Sequence, residues 1–124
     1  MENGTEGCTR KEIAEYLSGY RYGRRMLGMN KYERDFFDSD YSEALDAEDE
    51  ALIKAKMFEI KIFITSLPPD ERKLFLYYYY IKGESVERCG ELLGVSRRTA
   101  YRLKVRALDF AAARYKKFTR RAVE

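Results

Sequence analysis

Apolar residues recur at roughly helical spacing through most of the chain, with few breaks between the periodic stretches. Residues 1–9 are polar and are expected to be disordered, with Thr9 a candidate N-cap. Ile13, Tyr16, Leu17, Tyr20 and Leu27 then predict a helix over 10–37. Gly19, Gly23 and Gly28 weaken it, each by up to ~1 kcal/mol relative to alanine, and Gly19-xxx-Gly23 is a weak sign of a close helix crossing. The segment DSDYSEALDAEDE, 38–50, holds seven acids. Asp38, Asp40 and Ser42 resemble the start of a calcium loop, but Glu43 and Asp49 stand where that loop needs Gly and Glu. The acids read instead as a turn leading into a helix N-terminus, where the macrodipole favours them. A helix over 43–66 follows. Leu45, Leu52, Ile53, Met57, Ile60, Ile64 and Leu67 make its stripe, and Phe58, Ile62 and Phe63 widen it enough to face more than one neighbour. Helices 10–37 and 43–66 are expected to pair as an antiparallel hairpin that packs on the rest of the chain or on a second copy.

LPPDER, 67–72, stops one helix and starts another, with Pro69 suited to the first turn. That helix runs through Tyr77–Tyr80 to Lys82 and ends at Gly83. A regular helix turns ~100° per residue, so four successive tyrosines cannot share a face, which argues against a base-stacking platform. Leu74, Phe75, Tyr78 and Ile81 are the expected buried stripe, with Leu76 and Tyr80 turned towards the hairpin. Ser85 then caps a short helix, 86–93, with Val86, Cys89, Leu92 and Leu93 inward. Gly94-Val95-Ser96 makes a tight turn. A second helix, 97–112, buries Ala100, Leu103, Ala107, Leu108 and Phe110. A small Gly90 where the helices cross, Gly94 in the turn and Val95 plugging the corner are the residue types a helix-turn-helix requires. The fold class is therefore all-α, an N-terminal helical hairpin joined to a C-terminal helix-turn-helix domain. The expected divisions are 10–66, 67–118 and a basic tail, 119–124.

Composition narrows the chemistry. The 124 residues contain no histidine and only two cysteines, Cys8 and Cys89, far apart in the chain. A zinc site and histidine-based catalysis have no support, and neither an enzyme nor a cofactor is expected. No apolar run approaches the ~20 residues of a membrane span, and MENGTEGCTRKE lacks the apolar centre of a signal peptide. The expected location is the cytoplasm, away from membranes. Charge is unevenly spread. Residues 1–71 hold 10 Lys and Arg against 16 Asp and Glu, whereas residues 72–124 hold 14 against five. A half-chain near +9 suits a polyanionic partner.

The surface of helix 97–112 points to duplex DNA. Ser96, Arg97, Arg98, Tyr101 and Arg102 lie at its N-terminal end, where a recognition helix meets base edges. Arginines there oppose the helix dipole, a mismatch that is understandable if an anion is met. Lys82, Thr99, Lys104, Arg106, Arg114, Lys116 and Lys117 are placed for flanking phosphates.

Residues 67–110 resemble region 4 of sigma-70-type factors. The shared features are the proline-acid entry, the apolar helix ending in Tyr-x-x-Gly, the Ser-started helix, Leu-Gly-Val-Ser and the final Arg-Ala-Leu. That family usually has Ile-Ala where this chain has Cys89-Gly90, which predicts looser packing at the crossing. The stretch EIAEYLSGYRYGRRM, with the acids and helix after it, is similar to small ArpU-like regulators of Gram-positive phages and prophages. The resemblance implies a DNA-binding transcription regulator that also touches RNA polymerase. Nothing matches the sigma region that melts the −10 element, so a self-sufficient sigma factor is not implied. Two alternatives stay open: a small-terminase-like DNA-packaging adaptor, and a polymerase- or sigma-binding module that does not bind DNA. Homodimerisation through the hairpin's apolar face is a further expectation.

Overall fold

The computed structural model describes residues 8–36 and 47–123, with side chains over 8–28 and 47–115. The acidic stretch with Asp38, Asp40 and Ser42, and Leu45 of the second helix, lie outside the described residues. Five helices are described: α1 (Arg10–Phe36), α2 (Ala47–Thr65), α3 (Glu71–Leu76), α4 (Val86–Leu93) and α5 (Arg97–Val123), with a π turn (Tyr77–Ile81) continuing α3. There is no strand among the described residues, so the all-α class holds.

Local chemistry sets the boundaries. Thr9 and Glu12 form a capping box: Thr9 Oγ1 accepts from the Glu12 N–H (3.0 Å), and the Thr9 N–H donates to Glu12 Oε1 (2.8 Å). Asp70 caps α3 by accepting from the Arg72 and Lys73 N–H groups, so Pro69 lies one residue before the cap rather than in the first turn. Ser85 caps α4, and Gly94 ends it at φ +73°, where a Cβ would be strained.

The hairpin and the C-terminal helices share one core. Ile13 and Leu17 of α1 and Ile60, Phe63 and Ile64 of α2 are buried together with Phe75, Leu76, Tyr80, Ala107, Leu108, Phe110 and Ala111. Tyr16, Phe63 and Tyr115 bring an aromatic ring from each of α1, α2 and α5 into contact, with centroids 4.7–6.1 Å apart. Arg10 grips Asp109 with two hydrogen bonds, 2.9 and 3.1 Å, tying the start of α1 to the middle of α5. The Gly19-xxx-Gly23 spacing does mark a close crossing. A Cβ on Gly23 would stand 2.7 Å from Met57, and one on Gly19 3.1 Å from Ile60. The α2 stripe is narrower than expected: Leu52 and Phe58, about two-thirds exposed, and Ile62 face outwards.

Two corrections concern the tyrosines. The buried positions are Phe75, Leu76, Tyr80 and Ile81, while Leu74 is exposed and Tyr78 only half-buried. From Tyr77 on, the register is set by the π turn, in which the Lys82 N–H reaches back five residues to the Tyr77 carbonyl (3.0 Å). Each turn there holds an extra residue, so buried positions repeat at a spacing of five rather than four. The Glu84 N–H bonds to the Tyr78 carbonyl (3.0 Å), and Gly83 closes the turn at φ +75°.

In the helix-turn-helix, Ala100, Leu103, Ala107, Leu108 and Phe110 are all buried, as are Val86 and Cys89. Leu92, expected inside, is exposed. The α4–α5 crossing is tight rather than loose, since a Cβ on Gly90 would come within 2.9 Å of the Ala100 Cβ. α5 runs on to Val123, beyond the 97–112 span and through most of the stretch expected as a tail.

Candidate nucleic-acid interface

The turn Gly94–Ser96 aims the start of α5. The Val95 N–H bonds to the Gly90 carbonyl (2.9 Å) and the Gly94 N–H to that of Glu91 (3.2 Å), which closes α4 and fixes the angle of the next helix. Ser96 Oγ accepts from the Thr99 N–H (3.1 Å) and lies 3.0 Å from the Thr99 hydroxyl, so both side chains are engaged in the cap. With the buried stripe of α5 fixed by Ala100 and Leu103, the residues between must face out. Arg97, Arg98, Tyr101, Arg102 and Arg106 are all exposed.

Their electrostatics differ. Glu87 of α4 accepts a hydrogen bond from the Tyr101 hydroxyl (2.7 Å) and pairs with Arg97 at 3.4 Å. That bond from Tyr101 holds the Glu87 carboxyl below the usual carboxylate range, and it raises the Tyr101 hydroxyl above its ordinary value. Arg98, Arg102 and Arg106 have no ion pair among the described residues. No acid lies in the first turn of α5 to offset its dipole. The outcome is an exposed arginine face at the start of α5, with Arg97 paired and Arg98, Arg102 and Arg106 unneutralised.

The flanking cations are divided. Lys82 is exposed, 5.8 Å from the Tyr77 ring centroid. Lys104 and Arg114 are half-buried against aromatic faces, Lys104 over Tyr79 (4.8 Å) and Arg114 over Phe110 (4.0 Å). The side chains of Lys116 and Lys117 lie outside the described residues. Sequence reasoning missed Glu87, whose only signal was a lone acid in the first turn of α4. Cys89 is an inert core thiol, pushed up to about 11 by burial. Among the described residues no cluster of acids or cysteines is arranged to hold a metal ion, and no helix is long and apolar enough to cross a membrane.

Neither the search of curated proteins nor that of solved structures returned a match. One family model does match, described as "Sigma-70, region 4", over residues 60–110. The span begins at Ile60 in the last turns of α2, takes in α3, the π turn and α4, and ends at Phe110 of α5. By fold and by this match, residues 60–110 form a helix-turn-helix domain like region 4 of the sigma-70 factors.

Proposed function

We propose that the protein is a DNA-binding transcription regulator that seats the N-terminal half of α5 in the major groove. The observation that carries this reading is the exposed Arg97, Arg98, Tyr101 and Arg102 face on a helix whose angle is fixed by the Gly94 turn. Arginine there is suited to bidentate contact with guanine, and Lys82 and Arg106 to the flanking phosphates. Region 4 domains bind DNA and interact with RNA polymerase, which supports a polymerase contact here as well. The reading includes cytoplasmic action and an origin in a phage or prophage genome, the latter resting on the ArpU-like character of the N-terminal sequence. A homodimer is favoured by the outward face of Leu52, Phe58 and Ile62, since a single helix-turn-helix reads only a short half-site.

Polarisation titrations of the purified protein with labelled duplex DNA across a salt series test the proposal. Salt-dependent binding is expected, weakened severalfold or more in Arg98→Ala/Arg102→Ala at unchanged melting temperature. Absence of binding by the wild-type protein, together with polymerase capture that survives the double substitution, would establish a non-DNA interaction module instead. Ring-like assemblies in light scattering would favour the packaging adaptor.

A further inference from the structure

Beside the reading face, cations from three parts of the fold gather along one edge and meet no carboxylate. Arg21 of α1 and Lys104 of α5 both lie on the Tyr79 ring, 4.7 and 4.8 Å from its centroid. Lys82 lies over Tyr77, immediately after the π turn. The Arg24 guanidinium donates to the Ile81 carbonyl and stands 5.5 Å from the Tyr20 ring centroid. It also borders Gly83, where a Cβ would be 3.3 Å from Arg24 Nη1. Arg25, four positions after Arg21 and so on the same side of α1, is exposed. None of these five cations is in an ion pair among the described residues. Glu84 follows Gly83 in the chain and pairs with none of them.

Aromatic faces attract a cation and hold it in place, but they do not cancel its charge. The tyrosines therefore fix the heads in place and leave their field open. The edge is also continuous with the reading face. Arg97, Tyr101 and Lys104 follow one another on one side of α5 at spacings of four and three, and Lys104 shares the Tyr79 ring with Arg21. A row of positive heads running from Lys104 of the recognition helix onto α1 suits a linear array of phosphates better than a single small anion.

We infer that Arg21, Arg24 and Arg25 of α1 contact the phosphate backbone of the same duplex that α5 reads, lengthening the footprint past Lys82. This rests on the DNA-binding reading above, but it assigns a role to a helix outside the region 4-like domain. The test compares the wild-type chain with Arg21→Ala/Arg25→Ala and with Arg25→Glu on mixed-sequence duplex DNA across a salt series. Arg24 is left intact because it caps Ile81. Each phosphate contact contributes about 0.9 to the slope of log affinity against log salt. The double variant should thus lose about 1.8 from that slope, with base preference unchanged. Arg25→Glu alters only an exposed position, so it reads the same edge even if the double variant is destabilised, and it should weaken binding further than loss of one contact. Wild-type slope and affinity in both variants would overturn the inference and leave an acidic protein surface as the occupant of this edge. If the wild-type protein itself shows no salt-dependent binding, the DNA-binding reading fails along with it.

Discussion

The Tyr101 hydroxyl donates to Glu87 at 2.7 Å across the crossing of α4 and α5, on the surface that carries the arginines. Glu87 also holds Arg97, at 3.4 Å, so one carboxylate fixes two of the side chains at the reading surface. It places a negative charge on that surface, and on the DNA-binding reading a carboxylate there can accept from a cytosine amine. Replacing Glu87 with Gln should raise affinity for mixed-sequence DNA and narrow the gap between preferred and random duplexes. Competition titrations measure both.

The same pair makes a pH prediction. The Tyr101 hydroxyl titrates above its ordinary value chiefly because it donates to Glu87. In Glu87→Gln its titration, followed by NMR of the ring carbon bearing the hydroxyl, should move back down. Glu87 itself is held low, so its contribution to stability is full above the ordinary carboxylate pKa of about 4.3 and disappears only as pH falls through its lower native value.

Asp70 has the same sign at a different place. Its carboxylate caps α3 and is held low mainly by Arg72, whose guanidinium binds it at 2.6 Å. At neutral pH Asp70→Ala should cost about 0.5–2 kcal/mol. The gap in melting temperature between wild type and variant should close as pH drops through and below about 3.9, because protonation removes what the substitution removes.

Position 90 tests the tightness of the helix crossing. Alanine would gain up to ~1 kcal/mol of helix propensity over glycine but meets Ala100 at 2.9 Å, and overpacking typically costs about 1–3 kcal/mol. Gly90→Ala should therefore be near neutral to moderately destabilising. Gly90→Val, bulkier and β-branched, should be clearly worse. Urea midpoints at constant slope report both.

The packed side of α3 separates two nearby leucines. Leu76 is fully buried and Leu74 is 44% exposed. Leu76→Ala should cost about 2–5 kcal/mol, and Leu74→Ala under about 1 kcal/mol.

Much of this architecture was legible in the residues themselves, where local chemistry decides. Thr9, Ser85 and Ser96 announce helix starts, Gly83 and Gly94 announce ends, and the buried side of α5 follows a regular period. The π turn was not legible, because a pattern read at 3.6 residues per turn has no place for an extra one. The partners of α1 were hidden for a different reason. Arg10 and Asp109 are 99 positions apart, and the Arg21–Tyr79–Lys104 stack joins three elements that only the tertiary fold brings together. The outward turn of Leu52 and Phe58 was equally unreadable, since a stripe that wide fits several neighbours and the sequence does not say which are present.

The tyrosine run also has the geometry of a fixed insertion. Phe75 and Leu76 share the buried side with Tyr80 and Ile81 at a spacing of five, whereas an ordinary helix brings residues into line at three or four. One residue of the turn is thus surplus to the register of everything on either side. Removing Tyr78 should let the segment relax to an ordinary helix while Ile81, Gly83 and the whole helix-turn-helix keep their orientation. Removing Leu103 instead, inside a regular stretch of α5, would rotate every later side chain by ~100° and scatter the core. A folded single-tyrosine deletion beside an unfolded Leu103 deletion, compared by circular dichroism and melting, would mark Tyr77–Ile81 as a place where this fold can lose a residue without being rebuilt.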